Sequence, residues 1–258
     1  MTHATAVTTR PIWVDLASDD PSKAAAFYSG LFGWDVTVSE DPQYGGYAMA
    51  KLAGGDVAGI GPKQMPGMPS VWSAYIGSSD AEQDAAKVVA AGGTVIAPPF
   101  DVGDQGRMAV FQDPAGAYIS IWQPIAMSGF TAGKQGRFRW LELNARGMDK
   151  AVQFYESVFG WQAHTRSFEG TPDYTEFHLD GEQVAGGLEM QPMVPVEVPS
   201  YWTVYFGADD VDGSFARATE LGAQPMVPPM DFPGGRLAIV SDPEGAMFGL
   251  LRIDPREG

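Results

Sequence analysis

One motif occurs twice in this chain, and the repeat limits the folds open to it. Residues 27–34 read FYSGLFGW and residues 154–161 read FYESVFGW, so both motifs start and end 127 residues apart. Further matched segments, such as PSVWSAYIG with PSYWTVYFG and GRMAVFQDPAG with GRLAIVSDPEG, follow at spacings of 130 and 129 residues. The changes in spacing fall in predicted loops, which tolerate insertions, so the pattern indicates a duplicated domain.

Each copy is predicted to run strand, helix, three strands, and then the same order again. In the segment IWVDL, Ile12, Val14 and Leu16 alternate with polar or large side chains, as in a half-buried strand. Asp20 and Gly33 fit the cap and the stop of a helix that starts at Pro21.

A second helix is expected over residues 81–91. These elements predict an α+β fold with two tandem domains, each a curved, mostly antiparallel sheet with helices outside and a concave cavity inside. We place the first domain at residues 1–123, a glycine-rich linker at 124–138 and the second domain at 139–258.

The composition of the chain limits the classes of molecule that it is expected to bind. The formal charge of −16 disfavours nucleic acid and anionic membrane as partners, and no stretch approaches the ~18 apolar residues that a membrane helix needs. The chain contains no cysteine, which excludes disulfides and thiolate chemistry. Without a signal-peptide pattern at the N-terminus, we expect a cytoplasmic protein that binds a small molecule.

The repeated helix motif, the DPxG turns at residues 113–116 and 242–245, and the tandem element order resemble the vicinal oxygen chelate superfamily. That superfamily includes glyoxalase I, extradiol dioxygenases, fosfomycin-resistance enzymes and bleomycin-binding proteins. The resemblance covers residues 12–123 and 139–253, and the paired-domain layout looks like that of actinobacterial tandem proteins. It implies the fold more strongly than a function, because one scaffold carries many chemistries.

The resemblance also implies metal ligands, usually His or Glu, on the first, fourth, fifth and eighth strands of a domain. Those positions fall here on Trp13, Gly59, Trp72 or Ser73, and Ser120, and in the second copy on Trp140, Gly186, Trp202 or Thr203, and Gly249. None is a histidine or a carboxylate, whereas a divalent metal needs at least three such donors. We therefore predict no metal and no cofactor.

Three histidines leave one alternative open. His3 lies near the terminus, but His164 and His178 fall on neighbouring predicted strands and could form a two-histidine site with Glu142. The competing interpretation, which we favour, is that both are ordinary strand histidines.

Strand alternation predicts which side chains line each cavity. The candidate ligand-binding residues are Trp13, Ser73, Tyr75, Arg107, Tyr118, Ser120 and Trp122 in the first copy, and Trp140, Asn144, Thr203, Tyr205 and Arg236 in the second. Ala109, Met247, Gly249 and Leu251 are expected on the same faces. Such aromatic walls suit a planar or partly apolar ligand. The cavities are not expected to be equivalent.

Asp15 and Glu142 occupy the same position of the repeat and are the candidate catalytic carboxylates. Either could act as a general base on an apolar wall. Alternatively, they form ion pairs with Arg107 and Arg236, and the tryptophans only fill space.

Three functions remain in view. The first is a metal-independent binding protein for sequestration, resistance or sensing of a small molecule. The second is a glyoxalase-like lyase or isomerase that uses a cavity carboxylate or an unusual metal; a dioxygenase or hydroxylase is disfavoured. The third is a scaffold without ligand. We expect a monomer with internal pseudo-twofold pairing, or a homodimer.

Overall fold

A computed structural model describes residues 9–65, 67–167 and 172–254. It has four α-helices and sixteen strands in these ranges. The helices are α1 Pro21–Phe32, α2 Ala81–Ala90, α3 Met148–Phe159 and α4 Val211–Glu220. The strands of the first half are β1 Pro11–Ser18, β2 Asp35–Val38, β3 Ala48–Leu52, β4 Gly55–Pro62, β5 Val71–Gly77, β6 Thr94–Val102, β7 Gly106–Gln112 and β8 Tyr118–Pro124. Those of the second half are β9 Phe138–Ala145, β10 Gln162–Arg166, β11 Tyr174–Leu179, β12 Glu182–Glu189, β13 Tyr201–Gly207, β14 Gln224–Phe232, β15 Gly235–Ser241 and β16 Met247–Ile253.

The predicted α+β class and the order of elements are confirmed. Four βαβββ modules follow one another: module 1 is β1–β4 with α1, module 2 is β5–β8 with α2, module 3 is β9–β12 with α3, and module 4 is β13–β16 with α4. The strands form two eight-stranded mixed sheets, ordered β2-β3-β4-β1-β5-β8-β7-β6 and β10-β11-β12-β9-β13-β16-β15-β14. Among the described residues, no helix is long and apolar enough to cross a membrane.

The ends of α1 are those that the sequence predicts. The Asp20 side chain accepts a hydrogen bond from the Lys23 amide, and Gly33 ends the helix in the left-handed conformation. The expected helix over residues 81–91 ends one residue earlier, at Ala90. A short 3₁₀ turn at Pro42–Tyr44, which the sequence analysis does not include, precedes β3.

The chain divides into two compact units that differ from its two halves. Unit one combines modules 2 and 3: Ala74–Gly129, Leu141–Trp202 and the residues up to Trp13. Unit two combines modules 1 and 4: Val14–Ser73, Phe130–Trp140 and the chain from Thr203 on.

The FYxxxFGW motif holds unit two together from inside. Its Tyr28 hydroxyl donates to Asp242 of the module 4 DPxG turn at 3.0 Å and accepts from the Trp72 indole at 2.9 Å. Phe32 and Trp34 pack against Phe206 of β13. The motif is therefore a packing signature.

Unit one repeats the arrangement with the second copy of the motif. The Tyr155 hydroxyl donates to Asp113 at 2.9 Å and accepts from the Trp202 indole at 2.8 Å. Asp113 also caps its own turn by accepting from the Ala115 and Ala117 amides. The DPxG aspartates thus serve turn structure and packing.

Candidate functional site

Each module packs its helix on one face of its strands, and the other face, here called the helix-free face, is where ligand residues were predicted. Helix α2 packs on β6, β7 and β8, and α4 packs on β14, β15 and β16. Residues paired across an antiparallel ladder point to the same face. In module 2, Val110 pairs with Ser120 and Met108 pairs with Trp122, which assigns the predicted residues of β8 to the helix-free face.

Register corrects the placement of the two arginines. Arg107 and Ala109 pair with Gln123 and Ile121, which lie on the α2 side of β8, so the prediction that they share a face with Ser120 is wrong. Arg236 is likewise paired with Arg252 and lies on the α4 side of its sheet. In the sequence RMAVF, apolar side chains fall on both faces of the strand. Which residues face the helix therefore follows from the pairing with β8 and cannot be predicted from this strand alone.

Both arginines are engaged by acids of their own modules. Arg107 binds Glu82 of α2 at 2.6 Å and Asp101 at 3.3 Å. Arg236 binds Asp212 of α4 at 2.7 Å and Asp231 at 2.8 Å, and these partners raise its pKa further above its usual range. The alternative of Asp15–Arg107 and Glu142–Arg236 ion pairs is wrong for the residues that the structure describes.

The predicted carboxylates each meet a tyrosine that the sequence analysis missed. In module 1, the Tyr47 hydroxyl donates to Asp15 at 3.4 Å. Asp15 is paired with Gly59 of the parallel strand β4, and the tyrosine lies over that glycine, where any added Cβ would overlap its hydroxyl.

Module 3 repeats this pair in a more buried setting. The Tyr174 hydroxyl donates to Glu142 at 3.1 Å, and Glu142 is only 8% exposed. Gly186 pairs with Glu142 and is covered by the Tyr174 hydroxyl, as Gly59 is by that of Tyr47. Burial, and then the charge of Glu142, raise the pKa of Tyr201, so a second phenol lies near this carboxylate. Glu142 thus has a hydrogen-bond donor and an un-ionised tyrosine beside it.

The residues present do not fit a metal of the kind that the fold family implies. Tyrosine rings cover Gly59 and Gly186, and the Tyr205 ring covers Gly249, so three of the expected ligand positions are filled by phenol rings. Within the described ranges, no group of three or more histidine and carboxylate side chains could hold a metal ion. His3 lies outside the described residues.

The two strand histidines do meet, but with a different acid. The His164 and His178 rings are 4.8 Å apart, and His178 Nε2 is 3.2 Å from Glu176 Oε2. Arg166 binds the same carboxylate at 3.1 Å. Hydrogen bonds from Gln183 and His178 and the charge of Arg166 outweigh burial and lower the pKa of Glu176. Register places Glu176 across from Gly186, two residues from Tyr174, so this polar cluster shares the helix-free face with Glu142.

The remaining predicted residues differ sharply between modules 2 and 4. In module 2 the helix-free face carries Tyr118, Ser120 and Trp122 of β8 with Phe100 of β6, and Tyr118 and Phe100 are 56% and 45% exposed. In module 4 the corresponding face carries mainly methionine and aliphatic side chains: Met230, Leu237, Ile239, Met247 and Leu251. The two copies thus differ, as predicted: the helix-free face is largely aromatic in module 2 and largely aliphatic in module 4.

Most other candidate residues are buried. Trp13, Tyr75, Thr203 and Tyr205 have exposures between 1% and 7%, whereas Ser73, Trp140 and Asn144 are partly exposed. Tyr75 and Tyr205 stand opposite the helix side because Trp72 and Trp202, in the same strands, contact the α1 and α3 tyrosines. Among the predicted ligand residues, the exposed aromatic side chain of Tyr118 in module 2 is the most accessible.

The missed tyrosines had one usable signal. Tyr47 and Tyr174 are 127 residues apart, the spacing of the two carboxylates. The pairing of β3 with β4, and of β11 with β12, brings each tyrosine hydroxyl over a glycine of the neighbouring strand, Gly59 or Gly186. The sequence alone does not show this pairing.

Comparison with known proteins agrees with this architecture. A family model described as Glyoxalase/Bleomycin resistance protein/Dioxygenase superfamily matches residues 10–121 and 137–250. The candidate glyoxylase CFP32 of Mycobacterium tuberculosis is 40% identical over 255 residues, covering 96% of both chains. The anthracycline biosynthesis protein DnrV of Streptomyces peucetius is 37% identical over 263 residues, covering 96% of this chain and 94% of DnrV.

Solved structures share the fold at low sequence identity. The Mn(II)-bound glyoxalase of Novosphingobium aromaticivorans superposes with a TM-score of 0.64 at 17% identity, covering 95% of this chain and 82% of that one. The 2,2',3-trihydroxybiphenyl 1,2-dioxygenase of Sphingomonas wittichii gives 0.62 at 15% identity, covering 95% and 90%. The chain belongs to the glyoxalase/bleomycin resistance protein/dioxygenase superfamily, with one family domain in each half.

Proposed function

We propose that this protein binds a planar, hydroxylated small molecule without a metal ion. The observation that carries the proposal is the repeated tyrosine–carboxylate pair, Tyr47 with Asp15 and Tyr174 with Glu142, which lies where metal-dependent members of the family place ligands. A carboxylate accepts a hydrogen bond from a ligand hydroxyl, and a phenol donates to a ligand carbonyl. The pair therefore offers polar anchors in the place of a cation.

The ligand class is inferred from aromatic side chains on the helix-free face of module 2. Exposed Phe100 and Tyr118 provide flat aromatic surface, which favours stacking against a fused-ring ligand. The similarity to DnrV, whose name connects it with anthracyclines, supports the same class, because anthracyclines combine fused rings with phenol and quinone oxygens. Sequestration, resistance and sensing are all consistent with such binding.

Calorimetric titration with 1,8-dihydroxyanthraquinone and with an anthracycline, after dialysis against a chelator, tests the proposal. We expect saturable binding that added manganese, zinc, nickel or iron leaves unchanged. Glu142→Gln or Tyr174→Phe should weaken binding about tenfold, because each removes one buried hydrogen bond to an oxygen ligand. The matched control is Glu182→Gln, a charge-neutralising change at an exposed carboxylate of β12.

Two results would overturn the proposal. Binding that appears only after a metal is added would contradict metal independence. Equal affinity in the wild type and in both site variants would exclude the tyrosine–carboxylate pair as the anchor.

A second candidate function is a metal-free lyase or isomerase of glyoxalase type. It is favoured by the position of the buried Glu142 beside Tyr174 and Tyr201, because a carboxylate can accept a proton from a substrate and a neutral phenol can stabilise developing negative charge. Turnover of the methylglyoxal–glutathione hemithioacetal in chelator, lost in Glu142→Gln and retained in Glu182→Gln, would support it. Full activity in Glu142→Gln would exclude Glu142 as the base.

A further inference from the structure

A small cleft in unit two lies outside the tyrosine–carboxylate pairs and is bordered by three cationic side chains. Its volume is about 170 Å³, and it opens where β13 and β16 end side by side. The lining consists of Lys134, Arg139, Gly207, Ala208, Asp209, Leu251, Arg252, Ile253 and Asp254. The carboxyl ends of adjacent parallel strands are a common place for ligands in open sheets.

The linker supplies one of the three cations, Lys134, through a close backbone approach, and β9 supplies Arg139. Gln135 forms a parallel bridge with Gly207, and the Gly136 amide donates to the Gly207 carbonyl at 2.8 Å. A side chain at Gly207 would overlap the Lys134 carbonyl, so only glycine permits this approach. The linker thereby brings Lys134 to the rim of the cleft, which Arg139 of β9 also lines.

Two of these cations have no acid of their own. Arg252 is paired with Asp254 at 2.9 Å, whereas the structure gives Lys134 and Arg139 no side-chain hydrogen bond or ion pair among its described residues. The chain has 32 acidic and only 16 basic residues, so partners are abundant. Asp209 offsets one charge, and the lining keeps a net charge of +1 from three cations and two acids on a molecule of −16.

The repeat shows that the cleft is particular to the second copy. The position of Arg252 is taken in the first copy by Gln123, whose side-chain oxygen accepts a hydrogen bond from the Ala81 amide. The position of Arg139 is taken by Ile12. The second copy therefore carries two cations where the first has a neutral and an apolar side chain.

We propose that this cleft binds the phosphate or carboxylate group of a small molecule, with Arg139 and Lys134 as the principal ligands to its oxygens. A guanidinium presents two parallel donors that match either anion, and an ammonium adds a point charge. The volume suits one such group with a small substituent. This site is independent of the aromatic ligand proposed above.

Calorimetry and amide chemical-shift mapping at low ionic strength test the site, with inorganic phosphate and with succinate as probes. We expect saturable binding of at least one probe, with the largest shifts at Ala208, Asp209 and Arg252. The double variant Lys134→Gln/Arg139→Gln should weaken binding about tenfold or more. Tighter phosphate than succinate would identify a phosphate ester as the ligand class, and the reverse order would identify a carboxylate.

The control is Lys150→Gln, which removes one positive charge from an exposed position of α3 outside the cleft. Unchanged affinity in this variant would show that the loss in the double variant is local. Absence of saturable binding for both probes, shifts outside the cleft, or an equal loss in the control would overturn the proposal. The dihydroxyanthraquinone titration uses different residues, so failure of either proposal leaves the other distinguishable.

Discussion

At the scale of single residues, the duplication allowed the carboxylates to be predicted but not their partners. Asp15 and Glu142 stood out because both copies keep an acid at the same strand position. Tyr47 directly precedes β3, and Tyr174 is the first residue of β11. Their hydroxyls reach the acids only because Gly59 and Gly186 leave room. That coincidence of a small residue and a neighbouring ring belongs to the sheet, not to any local pattern.

The buried DPxG aspartates predict how stability depends on pH. Burial raises the pKa of Asp113 and of Asp242 above the ordinary 3.8, so in the window from 3.8 up to each raised pKa the folded state binds more protons than the unfolded state. The stabilising contribution of these groups is therefore present at low pH and is lost as pH rises through the folded pKa. Its slope reaches at most about 1.4 kcal/mol per pH unit for each group.

Urea unfolding from pH 3.5 to 7 measures this effect as the difference between wild type and Asp242→Asn. Glu176, whose pKa is lowered and which is not among the causes of the Asp242 shift, changes stability in the opposite direction and cancels in the difference. We expect the wild type to lose stability relative to the variant as pH rises. The control is Asp35→Asn, a change at an exposed position. If the stability of this variant depends on pH as that of Asp242→Asn does, the effect cannot be assigned to the buried aspartate.

At the scale of elements, strand and helix limits followed from the sequence more readily than strand phase. Caps and glycine stops fixed α1, and the repeat fixed the order of the strands. The facing of β7 and β15 was missed, since Ala109 and Ala238 are small enough for either side and only pairing with β8 and β16 decides.

Because Arg107 lies on the α2 side of β7, we expect its substitution to change ligand affinity little. Arg107→Gln should leave the affinity for the dihydroxyanthraquinone within about twofold and lower the free energy of unfolding by about 1 kcal/mol or less, because its ion pairs are largely exposed. Titration and denaturation of the variant check both values. A tenfold loss of affinity would restore Arg107 to the ligand site.

The covered glycine of β12 predicts a coupled effect with its tyrosine. Gly186→Ala should displace Tyr174 from Glu142 and cost about 1–3 kcal/mol by overpacking. Adding Tyr174→Ala should recover part of that loss, because the ring that collides is gone. A double-mutant cycle by urea unfolding measures the coupling. Strict additivity of the two changes would show that the ring does not occupy this place.

At the scale of the whole molecule, the sequence halves and the compact units are different divisions of one chain. Tyr28 in the first half reaches Asp242 in the second, and Tyr155 in the second reaches Asp113 in the first. The duplicated order was evident from the repeat, but which module packs with which was not, because all four share the same pattern of elements.

Separate halves of the chain should therefore not fold as monomers. Fragments 1–129 and 130–258 each lack the buried aspartate that their own tyrosine binds, and the aromatic core around it would be exposed. Near-ultraviolet circular dichroism with analytical ultracentrifugation should show native signal only in assembled pairs, whether mixed or self-paired. A cooperatively folding monomeric half would contradict this expectation.

Each compact unit contains modules from both halves of the chain. Joining the halves covalently therefore affects both the rate at which they assemble and the way in which each copy can change by mutation. Two separate copies of one half would have to meet by diffusion, whereas the linker holds them at an effective concentration in the millimolar range. Assembly becomes a first-order event that dilution cannot reverse. Covalent pairing also fixes one partner for each half, so a change such as Gln123 to Arg252 across the repeat alters one site and leaves its counterpart untouched. The single chain can thus keep the same order of elements in both copies while the two copies specialise independently.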